Sequence, residues 1–148
     1  MANEPIRVLL ADDDEDDRLI FKEAIEQLEV NTMVEMVSDG TELIDKLRQS
    51  NGDLPHVIFL DLNMPCKSGI ECLTEIRSDE QLNSLSIAIY STSSSEADIE
   101  ESFVKGANIY IKKPSDFNAL KSILNKVICT NWQYFNSGMN KENFLMSI

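Results

Sequence analysis

The chain has 148 residues, 26 acidic against 13 basic side chains and a formal net charge of −13. That length fits one domain with a single sizeable core and leaves no room for a second folded output module. So negative a surface repels phosphate backbones and anionic membranes, and no apolar run approaches the roughly 20 residues that span a bilayer, so neither nucleic acid nor membrane is an expected partner. The first residues carry no basic stretch ahead of an apolar one, and Cys66, Cys72 and Cys129 have neither disulfide nor zinc spacing. A cytoplasmic protein with reduced thiols is expected.

Ile6 to Ala11 reads as a buried strand, and six consecutive acids, Asp12 to Asp17, follow it. Such a block is ordinarily a solvated tail. Here it is wedged between the strand and a helix whose apolar positions 20, 21, 24, 25 and 28 share one face. Asp16 and Asp17 are ordinary partners of a helix dipole. Asp12 and Asp13 stand instead at the end of a strand. Asp12, Asp14, Asp16 and Glu23 also have calcium-loop spacing, but Asp17 occupies the required glycine position and a strand-like run precedes them.

Thr32 to Val37 makes a second strand, followed by a helix over Glu42 to Gln49. The third strand, His56 to Leu60, runs into Asp61, a carboxylate at the end of a buried strand, where open α/β sheets place their ligands. Asp61 is therefore a candidate nucleophile. A third helix follows Gly69, the fourth strand spans Ser86 to Tyr90 with Ser91 at its end, and Ser94 is the expected N-cap of a fourth helix. The fifth strand, Asn108 to Ile111, leads into Lys112, Lys113 and Pro114, and the last helix starts near Ser115 or Asp116.

Five strand–helix units with short apolar strands predict a parallel sheet covered on both faces. The carboxyl ends of its strands then collect Asp12, Asp13, Asp61, Ser91 and Lys113 on one edge. Two acids about 5 Å from Asp61 would each cost roughly 3 kcal/mol at an effective dielectric of 20. A hard cation relieves that cost, and Mg2+ suits carboxylates combined with water and a phosphate oxygen. The pattern points to metal-assisted phosphoryl chemistry.

An acidic pair after strand one, Asp61-Leu-Asn-Met-Pro65 with Gly69 eight residues beyond Asp61, Ser91 after strand four and Lys113-Pro114 after strand five occur in this order. From about Ile6 to Ile128 the chain resembles the receiver domain of bacterial two-component response regulators, and is similar to the single-domain chemotaxis and phytochrome-associated members. The resemblance implies a flavodoxin-like (βα)5 fold with strand order 2-1-3-4-5, a receiver domain over residues 1–129 and an extension over 130–148. It implies that Asp61 accepts a phosphoryl group, Asp13 ligates Mg2+ directly, Asp12 acts through a metal-bound water and Asn63 offers its backbone carbonyl. Lys113, preceding a cis Pro114, would hold a phosphoryl oxygen, and Ser91 would hydrogen-bond the group. Lys112 is the expected outward neighbour. Tyr110 would swing inward as Ser91 moves on phosphorylation, while Asn63 and Ser93 occupy the positions that tune phosphoryl-group lifetime.

The implied partner is a sensor histidine kinase, of the phytochrome type among others, or a phosphotransfer protein, with a protein target on the output side. The chain would be no enzyme beyond catalysing its own phosphorylation and dephosphorylation. The rival reading is an aspartyl-phosphate phosphohydrolase. Asn63 stands where such enzymes carry a second Asp, and no substrate-cap insertion is visible. In the extension, Trp132, Tyr134, Phe135, Phe144 and Leu145 suggest a fifth helix continued through Phe135 and a short segment folding back, which packs in cis or supports a homodimer.

Overall fold

The computed structural model describes residues 5–49, 53–129 and 145–146. Strands and helices alternate: β1 Ile6–Ala11, α1 Glu15–Glu26, β2 Thr32–Val37, α2 Gly40–Arg48, β3 Val57–Leu60, α3 Gly69–Ser78, β4 Ile87–Ser91, α4 Glu96–Val104, β5 Ile109–Lys112, α5 Phe117–Ile128 and β6 Leu145–Met146. The strands line up in the order β2-β1-β3-β4-β5-β6. The first five form the expected flavodoxin-like parallel sheet.

The central strands are buried on both faces, so successive side chains enter two different cores. Val8, Leu10, Val57, Phe59, Ala88 and Tyr90 pack with Phe21 of α1 and Leu124 of α5. Their neighbours Leu9, Ala11, Ile58, Leu60, Ile87 and Ile89 pack with Leu43 of α2 and Leu73 of α3. Each fully buried Leu, Ile, Val or Phe contributes about 1.5–3 kcal/mol, which holds the sheet between its helical layers.

The helix starts are fixed locally. Asp14, Asp39, Ser68, Ser95 and Asp116 each accept a backbone N–H from the first turn of their helix, and Ser68 with Glu71 forms a reciprocal capping box. Asp14 is thus spent as the cap of α1, in a strand–loop–helix unit unlike a calcium loop. The N-cap of α4 is Ser95, one residue beyond the expected Ser94, because the Ser95 hydroxyl accepts from the Asp98 N–H at 3.3 Å. His56 is structural: its Nδ1 accepts the Arg7 N–H at 2.9 Å.

Two expectations at the carboxyl end change. Helix α5 closes at Ile128, where the Cys129 N–H bonds the carbonyls of Asn125 and Val127, instead of running through Phe135. The aromatic segment 130–144 lies outside the described residues. Leu145 and Met146 pair in parallel with Tyr110 and Ile111, adding a sixth strand beyond the expected five. Short and pairing only with β5, it had no periodicity to announce it.

Candidate functional site

Three of the site residues are placed by main-chain bonds that continue the sheet past the strand ends. The Asp12 N–H bonds Val37 O at 3.1 Å, the Asp61 N–H bonds Ala11 O at 2.9 Å and the Lys113 N–H bonds Ser91 O at 2.7 Å. Each side chain therefore projects from a residue locked to the adjacent strand. The loop after Asp61 is fixed by Gly69, whose N–H bonds Leu62 O at 2.9 Å. A Cβ at Gly69 would lie 2.3 Å from the Asp61 carbonyl oxygen and 2.7 Å from Leu62 Cα, both backbone atoms that cannot move aside cheaply. In the same loop Cys66 adopts φ 69°, an uncommon left-handed conformation for a residue with a side chain.

The carboxylates of Asp12, Asp13 and Asp61 converge, with one oxygen from each within 4.8 Å of the others. Asp12 is fully buried, Asp61 is 6% exposed and Asp13 faces solvent. The all-oxygen donor set fits a hard divalent cation with room left for water. Without a cation the positive charge comes from Lys113. Its Nζ lies 2.8 Å from Asp12 Oδ2, 2.8 Å from Asp17 Oδ2 and 3.7 Å from Asp61 Oδ2. It also sits 5.2 Å from the centroid of the Tyr90 ring, whose other neighbours are Phe21 and Phe59.

These surroundings separate the protonation behaviour of the groups. Burial raises the Asp61 carboxyl to about 6, Lys113 works against that shift, and the Asp12 charge adds to it. Burial alone would lower the Lys113 ammonium, but its bonds to Asp12 and Asp17 outweigh this and hold it raised. Lys112, as expected, faces solvent.

The hydroxyl side of the site forms a relay toward β5. Ser91 is fully buried and its Oγ accepts the Ser93 N–H at 3.1 Å. The Tyr110 phenol donates to Ser93 O at 2.8 Å and also interacts with the Ser91 hydroxyl. Tyr110 is fully buried, with its ring inside the core. The reason is local: the ring belongs to the core on the α2, α3 and α4 side of the sheet, and its phenol donates to the Ser93 carbonyl. Ser93 turns its hydroxyl to Asp98 of α4, at 2.6 Å. Asn63 is exposed, with its N–H 3.5 Å from Asp61 Oδ1. The Lys113–Pro114 bond is trans, a correction to the expected cis form. The two forms differ by only about 0.5–1 kcal/mol before proline, so family resemblance could not fix it.

The response regulator receiver domain model matches residues 8–125. The chain belongs to the response regulator receiver family. Chemotaxis protein CheY-3 of Vibrio cholerae is 33% identical to this receiver over 127 residues, covering 86% of this chain and 95% of that protein. The phosphorylated cyanobacterial phytochrome response regulator RcpA superposes with TM-score 0.77 and 32% identity, covering 93% of this chain and 98% of RcpA. The Mn2+-bound form of response regulator Rcp1, the Synechocystis protein, gives TM-score 0.78 and 27% identity, over 85% and 96%. The receiver fold and its place in two-component signalling are thereby established.

The bond from Lys113 to Asp17, expected to serve only the helix dipole, and the place of the Tyr90 ring beside that ammonium carry no signature of their own in the sequence. The acidic block was the signal for Asp17, but only the angle of α1 against β5 distinguishes it from Asp16.

Proposed function

We propose that this receiver accepts a phosphoryl group on Asp61 from a partner histidine kinase or phosphotransfer protein, and passes the change to a protein-binding surface. The observation that carries the reading is the convergence of three carboxylates and Lys113 on one end of the sheet. A carboxylate oxygen of Asp61 attacks phosphorus, the bond from phosphorus to the donor nitrogen breaks, and an acyl phosphate forms. Asp12, Asp13, Asp61 and the Asn63 carbonyl would hold Mg2+, which would neutralise charge on the phosphoryl oxygens. The Mn2+-bound Rcp1 relative supports a divalent cation here. Lys113 contributes a fixed positive charge and Ser91 a hydroxyl donor.

A phosphoryl oxygen that takes up the Ser91 hydroxyl disturbs the bond Ser91 accepts from the Ser93 N–H, and the Ser93 carbonyl accepts from Tyr110, so the change reaches β5 through Ser93. Asn63 and Ser93 tune the lifetime, Ser93 through its hold on α4. The output surface is α4, β5 and α5, with β6 along the β5 edge. The chain acts in the cytoplasm, in keeping with that class of partner. Among the described residues no helix is long and apolar enough to cross a membrane.

Phosphotransfer from a set of phosphorylated histidine kinases tests this reading. One kinase is expected to label the receiver within seconds with Mg2+ and not after chelation; equal labelling without the cation would remove the metal from the reaction. Multiple-turnover release of phosphate from external monoesters would favour the phosphohydrolase instead. We further propose that the 130–148 extension supports a homodimer. A chain ending at Ile128, which also loses β6 and its pairing with β5, is then expected to lose a dimer seen in solution mass measurements; a lower melting temperature with unchanged mass would mean that the extension only packs in cis.

A further inference from the structure

We propose that Asp17 is a positioning residue of the phosphorylation site, a latch that draws the Lys113 ammonium toward α1 and competes for it with the phosphoryl group on Asp61. The inference rests on the receiver reading of Asp61 and Lys113. Lys113 has three N–H donors, and its two short contacts go to Asp12 and Asp17, both at 2.8 Å. Asp61, the residue that gains negative charge in the reaction, is the most distant of the three at 3.7 Å, beyond ordinary hydrogen-bond length.

Asp12 and Asp17 differ in what their loss would do. Asp12 is fully buried, accepts the Asp14 N–H through its other oxygen and belongs to the cation cluster. Asp17 lies on α1, with a side chain about one-third exposed, so it can release the ammonium and be taken up by water. Asp17 and Lys113 line the same cleft of about 180 Å³ with Ile20, Tyr90, Pro114 and Phe117, which gives both side chains room to part. A phosphoryl group turns the Asp61 carboxylate into an acyl phosphate with about one further negative charge, carried on oxygens that reach toward Lys113; it takes over the ammonium, freeing Asp17. The pair therefore opposes phosphorylation, and its rupture reports phosphorylation to α1.

The test is titration of the full chain with beryllofluoride, a phosphoryl mimic, at fixed Mg2+, followed by NMR. Asp17→Asn is expected to bind the mimic about three- to tenfold more tightly than the parent, a partly exposed charge-assisted bond having been removed. Asp16→Asn removes the same charge from an exposed position one residue away, and is expected to change binding less than about twofold. In a Lys113→Ala background, Asp17→Asn is expected to give no tightening. Equal effects of Asp16→Asn and Asp17→Asn, weaker binding by Asp17→Asn, or a gain that persists without Lys113 would each overturn the latch. The comparison of Asp16 with Asp17 needs no change at Lys113 and stands even where Lys113→Ala unfolds the chain. Absence of any beryllofluoride binding by the parent would overturn the receiver reading, and the latch with it.

Discussion

Asp61→Asn is expected to abolish phosphoryl labelling by a small acyl phosphate donor, with acid-stable, base-labile incorporation falling to background. The expectation follows from which carboxylate oxygens are free to attack. Asp12 spends one oxygen on the Asp14 N–H at 3.0 Å and the other on Lys113 at 2.8 Å. Asp13 faces solvent, where an attacking oxygen must shed its water. Asp61 is buried, and its contacts to the Asn63 N–H and to Lys113 are long, at 3.5 and 3.7 Å. Of the two buried carboxylates, Asp61 has the less committed lone pairs. Asn keeps the shape of the side chain but replaces the nucleophilic oxygen with an amide, so loss of labelling reports chemistry and not collapse. Circular dichroism of the variant should match the parent. Retained labelling would move the nucleophile to Asp12 or Asp13.

The residues that meet at the sheet edge were legible because strand ends are legible. An apolar run that stops at Asp61, Ser91 or Lys113 places that residue at the carboxyl end of a parallel strand whatever the details of packing. The parts that escaped depend on relations between elements. Asp16 and Asp17 differ by one step of about 100° around α1, and nothing in an acidic run says which step aims at Lys113. Tyr110 was placed correctly on β5, but its inward ring follows from a carbonyl on the β4–α4 loop that has no sequence signature. The two-residue β6 takes its conformation from β5 and carries too few residues for any period to show.

Metal-free stability is expected to fall as pH rises from about 4 to 7, and Asp61→Asn should remove that fall. The sign comes from the Asp61 carboxyl, raised to about 6 in the folded chain from an ordinary 3.8. Between those values the native state binds more protons than the unfolded state, so each step up in pH favours unfolding. The contribution is fully present below pH 3.8 and lost as pH passes 6. About two pH units at 1.36 kcal/mol each gives a loss of up to about 3 kcal/mol. Glu42 and Glu75, held below their ordinary 4.5 chiefly by hydrogen bonds from Ser38 and Lys67, lose stability as pH drops below that value, equally in parent and variant, so they cancel in the comparison with Asp61→Asn. Urea denaturation at pH 4 and 7 checks the expectation: parent and Asp61→Asn should differ little at pH 4, and the variant should be the more stable at pH 7. Mg2+ should restore the parent at pH 7 by binding only the ionised, folded site, by about 2.7 kcal/mol at a hundred times its Kd. It should leave Asp61→Asn much less affected. A parent whose stability is flat across this range would mean that Lys113 already neutralises Asp61 fully, and that relief of charge is not what the cation supplies.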